Sequence, residues 1–283
     1  MDFLVTDILI DGLRFGEGPR WHDGRLWLSD MHDRKVLAVN ETGCVETIVT
    51  LADDEPSGLG WLPDGRLLIV SMRKRQLLCF NDGALSVFAD ISGLASYHCN
   101  DMVTDKQGRS YIGNFGFDLH TGASASPAEI VMVGPDGSAS IVADELSFPN
   151  GTVITPDGRT LIVGESVAGR LTAFDVADDG SLHNRRLWAA MEGAIPDGIC
   201  LDDAGGIWVA SPTSREALRI LEGGEVTDRI KVKHQAYACM LGGSDGRTLF
   251  VLTSAHSNPD KCALERTAAV ETARVSHAGA GLP

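Results

Sequence analysis

Four residues of this chain could together hold a hard cation: Glu17, Asn100, Asn150 and Asp197. All four offer oxygen, and none offers sulfur or imidazole. Two carboxylates balance a divalent charge, and two amide carbonyls add neutral donors. Such a set suits one divalent ion, Ca²⁺ first, with Mn²⁺, Mg²⁺ and Zn²⁺ as alternatives. Without a cation, the two carboxylates would repel each other across a narrow space. Taken singly, each residue also reads as a turn former, as in Pro149-Asn-Gly151 and Pro196-Asp-Gly198. Their spacing is what joins them.

Asn100, Asn150 and Asp197 each stand eight residues before a turn glycine, as do Ser57 and Ala238, and Glu17 stands seven before one. Those glycines are Gly24, Gly65, Gly108, Gly158, Gly205 and Gly246, separated by 41, 43, 50, 47 and 41 residues. Self-similarity at this period predicts four-stranded propeller blades. A single blade cannot bury both its faces, whereas blades stacked around an axis can. In the second repeat the pattern predicts strands over 58–62, 67–72, 76–80 and 84–89, with turns at Pro63-Asp-Gly65 and Asn81-Asp-Gly83. The sixth repeat lacks a fourth strand, and the N-terminal run 3–10 has no partner before the first repeat. Pairing the two closes the ring and removes a free edge. The expectation is all-β: a single domain over 1–283, a six-bladed β-propeller of four-stranded blades closed by the N-terminal strand. In that architecture the first residues of the inner strands converge at one end of the axis.

The second strand of each blade returns to that end. Its terminus and the following loop bring Asp30, Arg73, Asn114 to Asp118, Glu165, Thr213 and His256 toward the four oxygen donors. The loops that enter the inner strands add Tyr97, His98 and Phe148. His98 reads as a base, a hydrogen-bond donor to substrate, or a packing histidine. Asp118 and Glu165 read as binders of hydroxyls or as loop caps. Phe115 and Phe117 read as pocket walls or as filler between blades. The long loops 116–128 and 254–266 are candidate lids.

The net charge of −15 argues against nucleic acid and anionic membrane surfaces, which select clustered Lys and Arg. The N-terminus has no basic segment leading into an apolar core, and no apolar run approaches membrane-spanning length, so a cytoplasmic location is expected. Six scattered cysteines without a CxxC pair read as free thiols in the core.

The chain resembles the senescence-marker-protein/gluconolactonase/luciferin-regenerating-enzyme family along essentially its whole length. The residues that carry the resemblance are Glu17-Gly-Pro-Arg-Trp21, Asn100-Asp101, Gly108-Arg-x-Tyr111 and Phe148-Pro-Asn-Gly-Thr152. Pro156-Asp-Gly158, Pro196-Asp-Gly198 and the C-terminal Ala-Gly-Ala-Gly-Leu-Pro complete it. The resemblance implies a six-bladed propeller with one divalent metal in its channel, acting on lactones, often sugar lactones. It implies Glu17, Asn150 and Asp197 as metal ligands, with Asn100 beside the metal and touching substrate. Asp197 also matches the general base, and Asp118 a carboxylate that holds sugar hydroxyls. One position departs: sugar-lactone members commonly carry Arg where this chain has His98. With Phe115 and Phe117 nearby, a less polar lactone fits as well as a sugar lactone.

The expected function is therefore metal-dependent opening of a lactone ring, a small-molecule substrate, by carbonyl polarisation and Asp197-assisted attack of water. Two alternatives keep the same site: another reaction there, such as phosphoester hydrolysis or isomerisation, or a non-catalytic propeller with a structural ion.

Overall fold

The computed structural model describes residues 6–119 and 121–282. Their strands make six four-stranded antiparallel sheets, whose inner strands neighbour one another in sequence order around a ring. This is a six-bladed β-propeller. The inner strands are Gly16–His22, Pro56–Trp61, Cys99–Thr104, Pro149–Ile154, Ile199–Leu201 and Gln235–Gly242, belonging to blades 1 to 6. In the second blade the strands are Pro56–Trp61, Leu67–Ser71, Gln76–Asn81 and Ala84–Asp90, within two residues of the sequence expectation.

Blade 6 contains Gln235–Gly242, Thr248–Ser254 and Ala268–Arg274, and its outermost strand is Asp7–Leu13 from the other end of the chain. Asp7 stands opposite Thr272 and Leu13 opposite Ala268 in an antiparallel register. Among the described residues the closing strand is Asp7–Leu13; of the expected run 3–10, residues 3–5 lie outside the described residues.

The repeated Asp-Gly turns sit at the end of the ring away from the oxygen donors. Gly158 adopts φ +73°, and the Asp157 carboxylate accepts the Arg159 N–H at 3.1 Å. Asp64 and Asp245 do the same for Arg66 and Arg247. The aspartate satisfies the turn backbone while glycine takes the left-handed conformation.

Between blades the faces are filled with aliphatic side chains. Leu26, Leu28, Leu59, Leu68, Leu249 and Leu252 are wholly buried, each contributing roughly 1.5–3 kcal/mol. Trp21 of blade 1 stacks on Phe250 of blade 6 with centroids 5.4 Å apart, across the seam that the closing strand completes.

The C-terminal segment bonds to blades 4 to 6 at the end of the ring away from the oxygen donors. Leu282 exchanges both backbone hydrogen bonds with Ile154 of blade 4, Ala280 N–H donates to Leu201 of blade 5, and Gly279 N–H donates to Gly246 of blade 6. The site lies at the opposite end.

Candidate active site

Five of the six inner strands lose regular pairing at their first residues. The register breaks between Glu17 and Arg20, Pro56 and Leu59, Cys99 and Met102, Pro149 and Thr152, and Ala236 and Ala238. Such a bulge bends the strand and re-aims a side chain. The breaks fall beside Glu17, Asn100 and Asn150, and Asp197 lies just before Ile199–Leu201. The glycines after the ring residues have a different reason from the one their turn-like motifs suggest. A Cβ on Gly151 would lie 2.4 Å from the Ile199 nitrogen, and one on Gly198 would lie 2.7 Å from the Ala238 Cα. The inner strands crowd at the neck of the ring, so only glycine fits there.

Glu17, Asn100, Asn150 and Asp197 all line one cavity of about 500 Å³. Glu17, Asn100 and Asn150 are buried, while Asp197 keeps some surface open to the cavity. Burial pushes Asp197 up to about 8; the neighbouring charge of Asp101 adds to this, and hydrogen bonds from Asn150 and the Gly198 backbone oppose it. Glu17 is raised well above the usual carboxylate range, first by burial and then by the charges of Asp197 and Asp101. Asn150 donates its Nδ2 to Ser166 Oγ at 3.2 Å, and Ser166 in turn donates to the Pro196 carbonyl at 2.7 Å. With its N–H groups directed this way, Asn150 presents its carbonyl oxygen as the remaining donor to a cation.

Beneath the ring, Arg20 and Asp101 form a buried ion pair at 2.6 Å. Arg20 also donates to the carbonyls of Leu59 at 3.0 Å and Pro19 at 2.7 Å, and to that of Met102. Three carboxylates (Glu17, Asp101 and Asp197) and one guanidinium leave two negative charges at the floor of the cavity when all are ionised. The donor set and the charge both fit a divalent cation of the hard class.

The residues at the ends of the second strands do another job. Asp30 accepts the N–H groups of Arg14 at 3.1 Å and Phe15 at 2.9 Å. Asn114 accepts from Tyr97 at 3.3 Å, Glu165 from Ser147 at 2.8 Å, and Ser211 from Ile195 at 3.2 Å. Each bonded N–H lies two or three residues before a ring residue: Glu17, Asn100, Asn150 or Asp197. These side chains staple the entry loops and thereby set where the ring points. Asp30, Asn114 and Glu165 therefore do not face a ligand, and Glu165 is instead wholly buried against Arg170, Arg185 and Thr172. His256 pairs with Glu265 at 3.1 Å outside the cavity.

His98, Asp118 and Phe115 line the cavity with the ring. His98 is half-buried and stacks on Tyr97 at 4.2 Å; burial and the charge of Arg73 lower its pKa. Phe115 meets Phe148 edge-on at 4.7 Å. Phe117 stands behind that wall, with its centroid 6.0 Å from Phe148, and supports it without lining the cavity. Of the candidate lids, 116–128 contributes Asp118, Leu119 and Thr121 to the wall. The other, 254–266, contributes Ser257 and contains the helix Pro259–Glu265.

Several wall residues carried no signal in the sequence. Phe15, Met31, Met72 and Tyr237 form an apolar cluster with Phe115 and Phe148. His32 bridges Glu55 at 3.0 Å and the Ser257 carbonyl at 3.3 Å. Cys99 and Cys239 are buried, and burial drives the Cys99 thiol up to about 12, so it packs as an inert group.

Residues 15–256 match the SMP-30/Gluconolactonase/LRE-like region. The chain belongs to that family. It is 29% identical to the regucalcin of Danio rerio over 265 residues, covering 89% of this chain and 86% of that one. It is 28% identical over 275 residues to a pentonolactonase of Haloferax volcanii, covering 94% of this chain and 85% of the relative. Among solved structures, a calcium-binding regucalcin from Agrobacterium tumefaciens superposes with a TM-score of 0.82 at 20% identity, covering 100% of this chain and 99% of that one. That last likeness speaks for the fold alone.

Proposed function

We propose that this family member is a hydrolase that opens a lactone ring, using one divalent cation held by Glu17, Asn150 and Asp197 with Asn100 beside it. The convergence of these four oxygen donors on the floor of one cavity carries the reading. The pentonolactonase at 28% identity supports the reaction class. Ca²⁺ is the ion that the oxygen-only donor set favours.

When bound, the cation would polarise the lactone carbonyl and offset the negative charge that develops on its oxygen. Asp197 takes the proton of the attacking water, a role favoured by its opening to the cavity. The water oxygen bonds to the carbonyl carbon, the ring C–O bond breaks, and the proton passes to the departing alkoxide to give a hydroxy acid. Asn100 positions the substrate beside the cation. Arg20 and Asp101 hold the ring from below. The apolar wall excludes bulk water, which strengthens these charge interactions.

The test is acid release over a panel of lactones, first in chelator and then with Ca²⁺, Mn²⁺, Mg²⁺ or Zn²⁺ restored. Cation-dependent acid release is the expected result. Chelator-sensitive melting without turnover of any lactone would leave the ion structural and overturn the catalytic reading.

A further inference from the structure

Arg73 follows the second strand of blade 2, His98 precedes the inner strand of blade 3, and both line the cavity. The Cys99 N–H donates to the Met72 carbonyl at 3.0 Å, which sets Arg73 and His98 side by side across the seam between the blades. Arg73 is held at two points. Its backbone N–H donates to the buried Asp54 carboxylate at 3.2 Å, and its Nε donates to the buried Glu55 carboxylate at 2.9 Å. Glu55 also bonds His32 at 3.0 Å, so its second oxygen is taken. Among the described residues the two Nη groups of Arg73 have no hydrogen-bond partner, and the side chain is 52% exposed. A guanidinium anchored through Nε presents its remaining N–H groups as a planar fork in a fixed direction. His98 stacks on Tyr97, and among the described residues neither of its ring nitrogens is hydrogen-bonded.

We propose that Arg73 is a specificity-determining residue: its Nη fork, with His98 beside it, binds an oxygen acceptor on the substituent of the lactone. The inference rests on the lactonase reading and names the group that reads the substrate. With the lactone carbonyl at the floor, the substituent meets the wall. An alkyl chain lying against the fork would cover N–H groups without replacing their water, a cost comparable to a lost hydrogen bond. A hydroxyl or a carboxylate supplies the missing acceptor. The two differ in what else they meet, because Asp118 also lines the cavity. A hydroxyl can donate to that carboxylate, whereas a carboxylate gains a bidentate pairing with the fork against a like charge at Asp118.

The experiment compares kcat/KM of the Ca²⁺-loaded protein on three series of γ-lactones matched in length, with alkyl, hydroxyalkyl or carboxyalkyl substituents. The natural chain should turn over at least one oxygen-bearing series faster than the alkyl series. Arg73→Met keeps the length of the side chain and removes the fork. It should lower the ratio of oxygen-bearing to alkyl kcat/KM by about ten- to a hundredfold, the worth of a hydrogen bond to a charged group. The series with the larger fall identifies the natural substituent as hydroxyl or carboxylate. Arg73→Lys keeps the charge without the fork and should restore that ratio only in part. If Arg73 serves only to hold Glu55, all three series fall in parallel, the ratio is unchanged, and the role of Arg73 is overturned. Fastest turnover of the alkyl series by the natural chain overturns the preference for an oxygen acceptor. Absence of turnover in all three series overturns the lactonase reading and the inference with it, a result distinct from the other two.

Discussion

Arg20 Nη2 lies 2.6 Å from Asp101 Oδ1, and both side chains are almost wholly removed from solvent directly below the ring of oxygen donors. This pair ties blade 1 to blade 3 across the axis. It also leaves Glu17 and Asp197 as the ring carboxylates with no ion pair among the described residues, so the demand for a cation falls on those two. Replacing Arg20 with Leu strands the Asp101 carboxylate, and losing one partner of a buried pair costs about 3–5 kcal/mol. Denaturant unfolding in chelator should show that loss, with part of it recovered on adding Ca²⁺. Wild-type stability in this variant would remove the pair from the support of the ring.

Chelated protein should become less stable as pH rises. In the fold, Asp197 is raised from its ordinary value near 3.8 to about 8. A raised carboxyl contributes stability that is fully present below its unfolded value and is lost as pH climbs through the folded one. The melting temperature in chelator should therefore fall between about pH 4 and pH 8. Cation binding displaces the proton, so Ca²⁺ should protect most near pH 8, and its uptake at pH 6 should release acid. A pH titration of melting temperature, with and without Ca²⁺, measures this. Equal slopes in the two conditions would separate Asp197 from the cation.

Asp197→Asn keeps the shape and an oxygen donor but removes the proton acceptor. Lactone turnover should drop by about 10²–10⁴, the usual contribution of a positioned base. Calorimetry should still detect Ca²⁺ binding, weakened by the lost charge. Turnover at the wild-type rate would assign the proton transfer to another group.

Glu165 should govern acid stability. Burial alone would raise its pKa, but hydrogen bonds from Arg170, Thr172 and the Ser147 backbone outweigh burial and hold it below its ordinary value. A depressed carboxyl stabilises the fold above its unfolded value of about 4.5 and loses that contribution as pH falls further. Glu165→Gln should melt below wild type at pH 7, and the gap should narrow below about pH 4.5. Because Glu165 staples the loop entering Asn150, its loss should also weaken Ca²⁺ binding at pH 7. A gap that stays constant across pH would rule out the carboxylate charge as the source.

The blades and the oxygen ring were legible in the chain because both are written locally and repeatedly. A turn glycine at each period marks a hairpin, and counting back from it finds Glu17, Asn100, Asn150 and Asp197 at one end of the axis. Pairing within a blade joins neighbours in sequence, so the pattern survives in one dimension. The closing strand was legible as an unpaired run facing a blade with one strand missing.

What each polar side chain does was decided by tertiary structure. Asp30 and Glu165 look as suitable for binding a ligand as Asp118 does, but the N–H groups of the entry loops reach the first two and turn them into staples. Arg20 and Asp101 stand 81 residues apart, with nothing in either one's neighbourhood to announce the other. The gathering of Phe15, Met31, Met72 and Tyr237 around the ring likewise comes from segments of different blades. The sequence by itself determined the repeat, and so where oxygen donors converge. Only the folded ring determined which charges are already matched, because matching is a property of distance in space.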